Sequence, residues 1–322
     1  MFAVYADAFS SDDPLSGLVV GERPDPVAPD GWTTVTVKAA SLNHHDLWSL
    51  RGVGLREEAL PMILGCDASG YDEAGNEVVV HAVIPSPGWT GDETLDPKRS
   101  LLSERHQGTF ADKVIVPAAN VVPKPASLSF EEAACLPTAW LTAYRMLFVQ
   151  GGLTAGDTVL VQGAGGGVAT ALIVLGRAGG LRVLATSRDE AKRERALEIG
   201  AHEVYESNAR LPGKVDAVME TVGRATWSHS IRALRPGGKI VISGTTSGPN
   251  VDDAELTRIF FLQLSVIGST MGTRQELASL VTLLDASGAR PLIDHTLPMD
   301  QARDGFAAMA KGEVFGKIVF TR

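Results

Sequence analysis

The segment Val159-Leu-Val-Gln-Gly-Ala-Gly-Gly-Gly-Val-Ala-Thr-Ala-Leu-Ile-Val-Leu175 carries residues whose types and spacing suit phosphate binding. A short apolar run ends in a glycine cluster. Val168, Ala171, Leu172, Leu175 and Ala178 then recur at helical spacing. Glycines remove Cβ atoms where a backbone turns sharply and lies against a pyrophosphate. The helix start behind them offers free N–H groups and a partial positive charge. Two registers are open. Gly163-x-Gly165-x-x-Val168 breaks the third small position, whereas Ala164-x-Gly166-x-x-Ala169 keeps a small residue at all three. The second register is expected, because the last position need only allow close helix–strand packing. It puts Gly166, Gly167 and Val168 at the pyrophosphate. The next strand ends at Thr186-Ser187-Arg188, about twenty residues on, where an NAD site places an acid on the ribose. Ser187, Arg188 and Lys192 supply a hydroxyl and two cations instead, which suit a 2′-phosphate. NADPH is therefore expected over NADH, although an ordinary helix start with solvated charges carries similar residues.

These residues need elements to hold them. The first third reads as short strands broken by Gly/Pro turns, at residues 2–5, 17–20, 32–40, 77–84 and 110–116. Residues 85–108 are polar and irregular, a surface excursion. After Pro123-Lys-Pro125 the pattern changes to alternating helices and strands. Residues 130–150 read as helix interrupted by Pro137. Strands are expected at 158–162, 182–186, 203–205, 215–219, 239–243 and 264–268, which gives an α/β class with a doubly wound parallel sheet. Helices at 275–285 and 300–310 and a strand at 317–321 close the chain. The expected division is a discontinuous β-rich domain, 1–136 with 270–322, around a nucleotide-binding domain, 137–269. The active site is expected in the cleft between them, at the carboxyl ends of the strands.

The bulk numbers agree with an ordinary globular protein of about two domains: 322 residues, 44% hydrophobic and 21% charged. The net charge of −9 argues against nucleic acid or an anionic membrane as partner. Only Cys66 and Cys135 occur, so no disulfide framework or Cys-rich zinc module is expected. The N-terminus lacks the pattern of a signal peptide, and no apolar run is long enough to span a bilayer. A cytoplasmic protein is expected.

Further motifs join these in a fixed order: Ser41-Leu-Asn-His-His-Asp46, Gly65-Cys-Asp-Ala-Ser-Gly70, Gly108-Thr-Phe-Ala-Asp112, Ala133-Ala-Cys-Leu-Pro-Thr-Ala-Trp-Leu-Thr-Ala-Tyr144, Val215-Asp-Ala-Val-Met-Glu-Thr-Val-Gly223, Leu234-Arg-Pro-Gly-Gly-Lys239 and Gly316-Lys-Ile-Val319. In this order the chain resembles the medium-chain dehydrogenase/reductase superfamily over nearly its whole length. The resemblance implies a GroES-like catalytic domain, a Rossmann domain and hydride transfer with a nicotinamide cofactor. Within the family, zinc enzymes differ from zinc-free quinone and enone reductases. Asn43 stands where the zinc enzymes place their first Cys ligand, Cys66 and Asp67 stand at the Gly-His-Glu ligand pair, and Thr138 stands at the last Cys. Asn and Thr are poor Zn²⁺ ligands, so no metal is expected and the zinc-free, quinone oxidoreductase-like branch is favoured. Cys66 is expected as a small buried hydrophobe.

Without a Lewis acid, hydride transfer to a conjugated C=C is the more plausible chemistry. The resemblance places Asn43 near the nicotinamide as a hydrogen-bond donor. It puts His45 at the Thr/Ser proton-relay position of the alcohol dehydrogenases, where an imidazole can donate a proton. Trp48, where quinone reductases often carry Tyr, is expected to shape the substrate pocket. Thr142, Val222, Gly223, Ser243, Gly244, Thr245, Ser269, Thr270, Met271 and Lys317 are expected around the rest of the nucleotide. The expectation is a zinc-independent, NADPH-dependent reductase of a quinone or α,β-unsaturated carbonyl compound, working as a homodimer. A metal-dependent alcohol dehydrogenase and a non-catalytic NADPH-binding protein are the alternatives.

Overall fold

A computed structural model describes residues 1–322. The chain separates into two compact units, Met1–Leu141 with Met271–Arg322, and Thr142–Thr270. These divisions lie a few residues beyond those expected from sequence.

In the first unit the strand Trp32–Ser41 is the spine. Its first half pairs antiparallel with Lys113–Pro117 and its second half with Asp67–Tyr71. The C-terminal strand Lys317–Thr321 joins on the other side, with Val319 opposite Ser41. Glu77–Val80, Val121–Pro123 and Ile293–Pro298 complete a seven-stranded sheet. The alternation in Thr33-Thr-Val-Thr-Val-Lys38 has its physical cause here: Val35 and Val37 point into the core and are buried. The C-terminal tail belongs to the same core. Phe306 and Phe320 meet the ring of Phe110 edge-on, at 6.1 and 5.2 Å between centroids.

The sequence pattern missed several pieces of this unit. Met62–Ile63, Asp67–Tyr71, Val121–Pro123 and Ile293–Pro298 are strands. The expected single strand 77–84 is two, Glu77–Val80 and Val83–Ile84, broken at His81 and Ala82. Residues 130–150 stay helical throughout, and the turns widen to π geometry at Leu136–Trp140, around Pro137. A proline lacks the N–H that an α-turn needs, and a π-bulge absorbs that loss.

The second unit is a six-stranded parallel sheet. Its order is Glu203–Tyr205, Arg182–Thr186, Thr158–Val161, Val215–Glu220, Leu234–Ile242 and Ser265–Gly268. The chain starts in the middle, winds one way and then the other, which is the doubly wound Rossmann arrangement. Leu160, Leu184, Val218, Ile231 and Ile240 fill one side of it. No helix in either unit is long and apolar enough to cross a membrane.

Candidate functional site

In the first unit, the strand ends gather the polar residues. Ser41 closes its strand, Asp67 opens the strand paired with it, and Lys317 opens the C-terminal strand. All three are buried. The Asp67 Oδ2 atom accepts from Ser41 Oγ at 2.7 Å, Asn43 Nδ2 at 2.8 Å and Lys317 Nζ at 3.3 Å. The Lys317 ammonium also donates to Asn43 Oδ1 at 2.6 Å and to the Leu42 carbonyl at 2.9 Å. Three protons thus meet three acceptors. The second Asn43 amide proton goes to the Ser41 carbonyl at 3.3 Å.

Two expectations change here. Lys317 does not line a nucleotide with its ammonium, because that group is 2% exposed and fully engaged inside the unit. Asn43 is not a spare donor for a substrate oxygen, because both its amide protons are committed. The position of the first zinc ligand is therefore an amide bonded to an ammonium. No group of three or more His, Cys, Asp or Glu side chains is arranged to hold a metal. This donor set does not fit Zn²⁺, which asks for three Cys, His or carboxylate ligands and repels a neighbouring cation.

Beside this network, helix His44–Leu50 presents His45. Asp46 stays behind it, buried, accepting from the backbone N–H groups of Asn43 at 2.9 Å and Gly65 at 3.0 Å. Gly65 has φ +95, and a Cβ there would meet Thr109 Oγ1 at 2.5 Å, so the motif needs glycine. The His45 Nε2 atom lies 3.0 Å from Glu104 Oε1, and Nδ1 lies 3.6 Å from Cys66 Sγ. Burial opposes charging of this ring, but Cys66, Asp46 and Glu104 outweigh it and hold its pKa well above the ordinary histidine value. Burial in turn pushes the Cys66 thiol up, against the opposing pull of His45. His44 behaves oppositely: burial, then Lys317 and Arg51, depress its pKa. Trp48, on the same helix, leaves 38% of its surface exposed. Cys66 is a buried free thiol that donates to the Leu102 carbonyl at 3.3 Å. Glu104 carried no signal in the sequence. It lies in the irregular excursion 85–108, where no periodicity points a side chain.

In the second unit, the strand Thr158–Val161 runs into the glycine loop, and helix Gly167–Ala178 begins behind the N-cap Gly166. Gly163 (φ +74) and Gly165 (φ +137) make the turn. Gly166 has an ordinary φ, and nothing lies within 4 Å of where its Cβ would stand. Ala164 and Ala169 are buried, whereas Val168 is only partly covered. The turn thus needs glycine at 163 and 165, while Gly166 and Ala169 give the open face and the close helix contact. That open helix N-terminus fits a pyrophosphate.

The loop rests on a closed polar network. Gly163 N donates to Thr186 Oγ1 at 3.3 Å, and Thr186 Oγ1 to Gln162 Oε1 at 2.6 Å. Gln162 Nε2 reaches Ser230 Oγ at 2.9 Å, and Ser230 donates to the buried carboxylate of Glu220 at 2.6 Å. Glu220 in turn accepts from the backbone N–H groups of Val222 at 2.8 Å and Gly223 at 3.0 Å. Two loops expected at a nucleotide are thereby tied together through one buried chain. Ser243 joins the same strand ends, with its N–H on the Glu220 carbonyl. Gly244 and Thr245 follow it, Thr245 packing close to Gly223, and the hydroxyl of Ser269 is buried without a partner. Thr142 is buried, Thr270 is exposed, and Met271 packs against the core of the first unit with φ +48. Ser187 is buried, its hydroxyl accepting from Asp189 N at 3.2 Å. Asp189 caps the next helix by accepting from Lys192 N. Arg188 is exposed, and the Lys192 stem lies against Gly165.

Known proteins share this fold. Residues 29–126 match the alcohol dehydrogenase GroES-like domain, and residues 167–286 match the zinc-binding dehydrogenase domain. A solved structure described as an NAD-dependent alcohol dehydrogenase is similar over 100% of both chains, with a TM-score of 0.92 and 33% identity. Acryloyl-coenzyme A reductase of Sulfurisphaera tokodaii is 26% identical over 95% of this chain and 97% of its own. Quinone oxidoreductase of Mus musculus is 28% identical over 86% of this chain and 85% of its own. The chain is an oxidoreductase and belongs to the medium-chain dehydrogenase/reductase superfamily, whose members use nicotinamide cofactors.

Proposed function

We propose that this protein is a zinc-independent reductase that adds hydride from NADPH to the conjugated C=C of an enone, an enoyl thioester or a quinone. One observation carries the reading: Lys317 Nζ bonds both Asn43 Oδ1 and Asp67 Oδ2, where relatives of the zinc type place ligands. A saturated carbonyl needs a Lewis acid for its developing alkoxide, whereas a conjugated acceptor spreads that charge into an enolate or quinol. The names of the acryloyl-coenzyme A and quinone reductases support the same class of acceptor. When bound, NADPH supplies the hydride. His45, held in its protonated form by acidic neighbours, supplies the proton. Trp48 offers an exposed apolar face to the acceptor.

For the cofactor, Gly166, Gly167 and Val168 take the pyrophosphate, and Ser187, Arg188 and Lys192 form the 2′-phosphate site. Thr142, Val222, Gly223, Ser243, Gly244, Thr245, Ser269, Thr270 and Met271 remain its proposed surroundings. NADH is the second reading, favoured by the NAD-dependent neighbour and by the internal hydrogen bond that occupies the Ser187 hydroxyl. A panel of quinones, enones and enoyl thioesters with each cofactor tests the reading. Turnover with NADPH is expected for at least one, and no turnover with any of them overturns it. Arg188→Ala should raise the KM for NADPH about tenfold or more and leave that for NADH nearly unchanged. Equal losses for both contradict the 2′-phosphate site.

The assembly we propose is a homodimer through the edge strand Ser265–Gly268. Its outer side has no strand partner, and the adjacent helix Leu256–Phe261 exposes Leu256, Phe260 and Phe261. An open edge beside an apolar patch favours a second copy.

A further inference from the structure

We propose that Gln162 is a positioning residue for the bound dinucleotide: its buried side-chain amide locks the glycine loop to the loop 221–226, so that both present one fixed surface to the cofactor. This rests on the reading of those loops as the cofactor site. Gln162 directly precedes the glycines and has no exposed surface. Its amide is the middle of a hydrogen-bond chain whose sense is fixed at both ends. At one end Gly163 N–H can only donate, and it meets Thr186 Oγ1 at 3.3 Å. The Thr186 proton therefore goes on to Gln162 Oε1 at 2.6 Å. At the other end the Glu220 carboxylate takes the Ser230 proton at 2.6 Å. Ser230 Oγ then needs a donor, which is Gln162 Nε2 at 2.9 Å. Every donor in the chain points toward Glu220, an order in which each bond strengthens the next.

A third loop joins at the same amide. His229 Nε2 meets the Ala209 carbonyl at 2.9 Å, which makes that nitrogen the N–H. Nδ1 lies 2.8 Å from Gln162 Nε2 and accepts its second proton. The ends of the chain are backbone groups, and that lets a buried side chain set the shape of a surface. Thr186 holds the glycine loop twice, its hydroxyl taking Gly163 N–H and its carbonyl taking Ala164 N–H at 2.7 Å. Glu220 holds Val222 N at 2.8 Å, Gly223 N at 3.0 Å and the Thr226 hydroxyl at 2.9 Å. The two loops also touch directly: a Cβ on Gly163 would stand 2.7 Å from Val222 Cγ2. Gln162, Thr186, Ser230 and Glu220 are all fully buried, so water does not stand in for a lost link.

A ligand that spans several loops binds best when they already stand in place, because ordering them on binding subtracts from affinity. Gln162 acts on the cofactor through Gly163 at one end of the chain and through Val222 and Gly223 at the other. Its loss therefore falls on nucleotide binding more than on hydride transfer. It falls alike on NADPH and NADH, since the glycine loop takes the pyrophosphate that both carry. A residue that only filled the core would lower Tm and leave the affinity of the folded enzyme unchanged.

The test compares wild type with Gln162→Met, Thr186→Val, Thr186→Ser and Ser230→Ala in Tm, in Kd for NADPH and NADH by fluorescence titration, and in KM against kcat. Gln162→Met is expected to raise Kd and KM for both cofactors roughly tenfold, with a smaller change in kcat. Thr186→Val is expected to raise them less, and Thr186→Ser, which keeps the hydroxyl, to restore them. In the double variant Thr186→Val/Ser230→Ala the combined loss is expected to fall short of the product of the single losses, because the first cut already frees the chain. Lower Tm with unchanged affinity, or losses that multiply independently, refutes the role of Gln162. If Gln162→Met does not fold, the hydroxyl variants decide by the same criteria. Gly166→Asp tests the underlying reading separately. Gly166 has φ −72 and ψ 165 with open space at its Cβ, so aspartate there caps the helix and keeps the fold while its charge repels a pyrophosphate. If Gly166→Asp leaves cofactor affinity unchanged, the loop is not the cofactor site and the role of Gln162 falls with that reading. If Gly166→Asp weakens binding and Gln162→Met does not, only the role of Gln162 falls.

Discussion

The Lys317 ammonium meets three acceptors at once, and Asp67, its carboxylate partner, has no exposed surface. Breaking a buried pair by removing one member leaves an uncompensated charge, which costs about 3–5 kcal/mol. Lys317→Met should therefore lower the unfolding free energy read from denaturant titration by an amount near that range, and the midpoint with it. An unchanged midpoint would mean that water reaches the site and that the network contributes little. This network was only half legible in the sequence. Asn43, Cys66 and Asp67 stood out because their motifs mark a site. Lys317 was placed at the nucleotide instead, since a motif fixes a position along the chain and says nothing of a contact made across 250 residues. The zinc-ligand positions were readable from the family resemblance, and the residue types standing there argued against a metal. The cation that joins two of them was not.

Elements were legible where periodicity was strong and obscure where tertiary contacts override it. The segment 77–84 reads as one apolar strand, yet the ladder stops at His81. The side chain of Asn120 takes over, donating to the carbonyls of His81 at 3.0 Å and Val83 at 2.7 Å. The His81 ring is left buried with neither nitrogen paired, and burial followed by the nearby Arg274 lowers its pKa to about 3. The unfolded chain, at 6.5, binds that proton far more readily. Between pH 6.5 and about 3 the unfolded state thus holds more protons, so His81 makes stability fall as pH falls. His81→Met should flatten this part of the curve of Tm against pH. An unaltered slope would place the acid sensitivity elsewhere. The glycine loop shows the same division between pattern and geometry. Its strand, turn and helix were plain, but the positive φ at Gly163 and Gly165 is a property of coordinates that spacing does not carry.

At the scale of the molecule, alternating helix and strand signals were enough to place the parallel sheet, because its inner strands Thr158–Val161, Arg182–Thr186 and Val215–Glu220 are runs of mostly buried apolar residues. In the first unit Met62–Ile63 and Val121–Pro123 were missed because two or three residues carry no period, and Asp67–Tyr71 and Ile293–Pro298 because their residues do not alternate apolar with polar. Composition cannot report assembly either; the proposed homodimer rests on the open sheet edge and the exposed residues Leu256, Phe260 and Phe261 beside it. If the edge strand and helix Leu256–Phe261 meet a second copy, Phe261→Asp should leave a monomer in light scattering with its fold intact. A dimer that persists would move the interface elsewhere. The central claim concerns the bond that receives the hydride. NADPH deuterated at the transferred position, given with an enone to chelator-treated enzyme and followed by NMR of the product, tests it most directly. The account predicts deuterium at the β-carbon, an intact carbonyl and no loss of rate without metal. Deuterium on the carbonyl carbon of an alcohol product, formed only after zinc is returned, would contradict it.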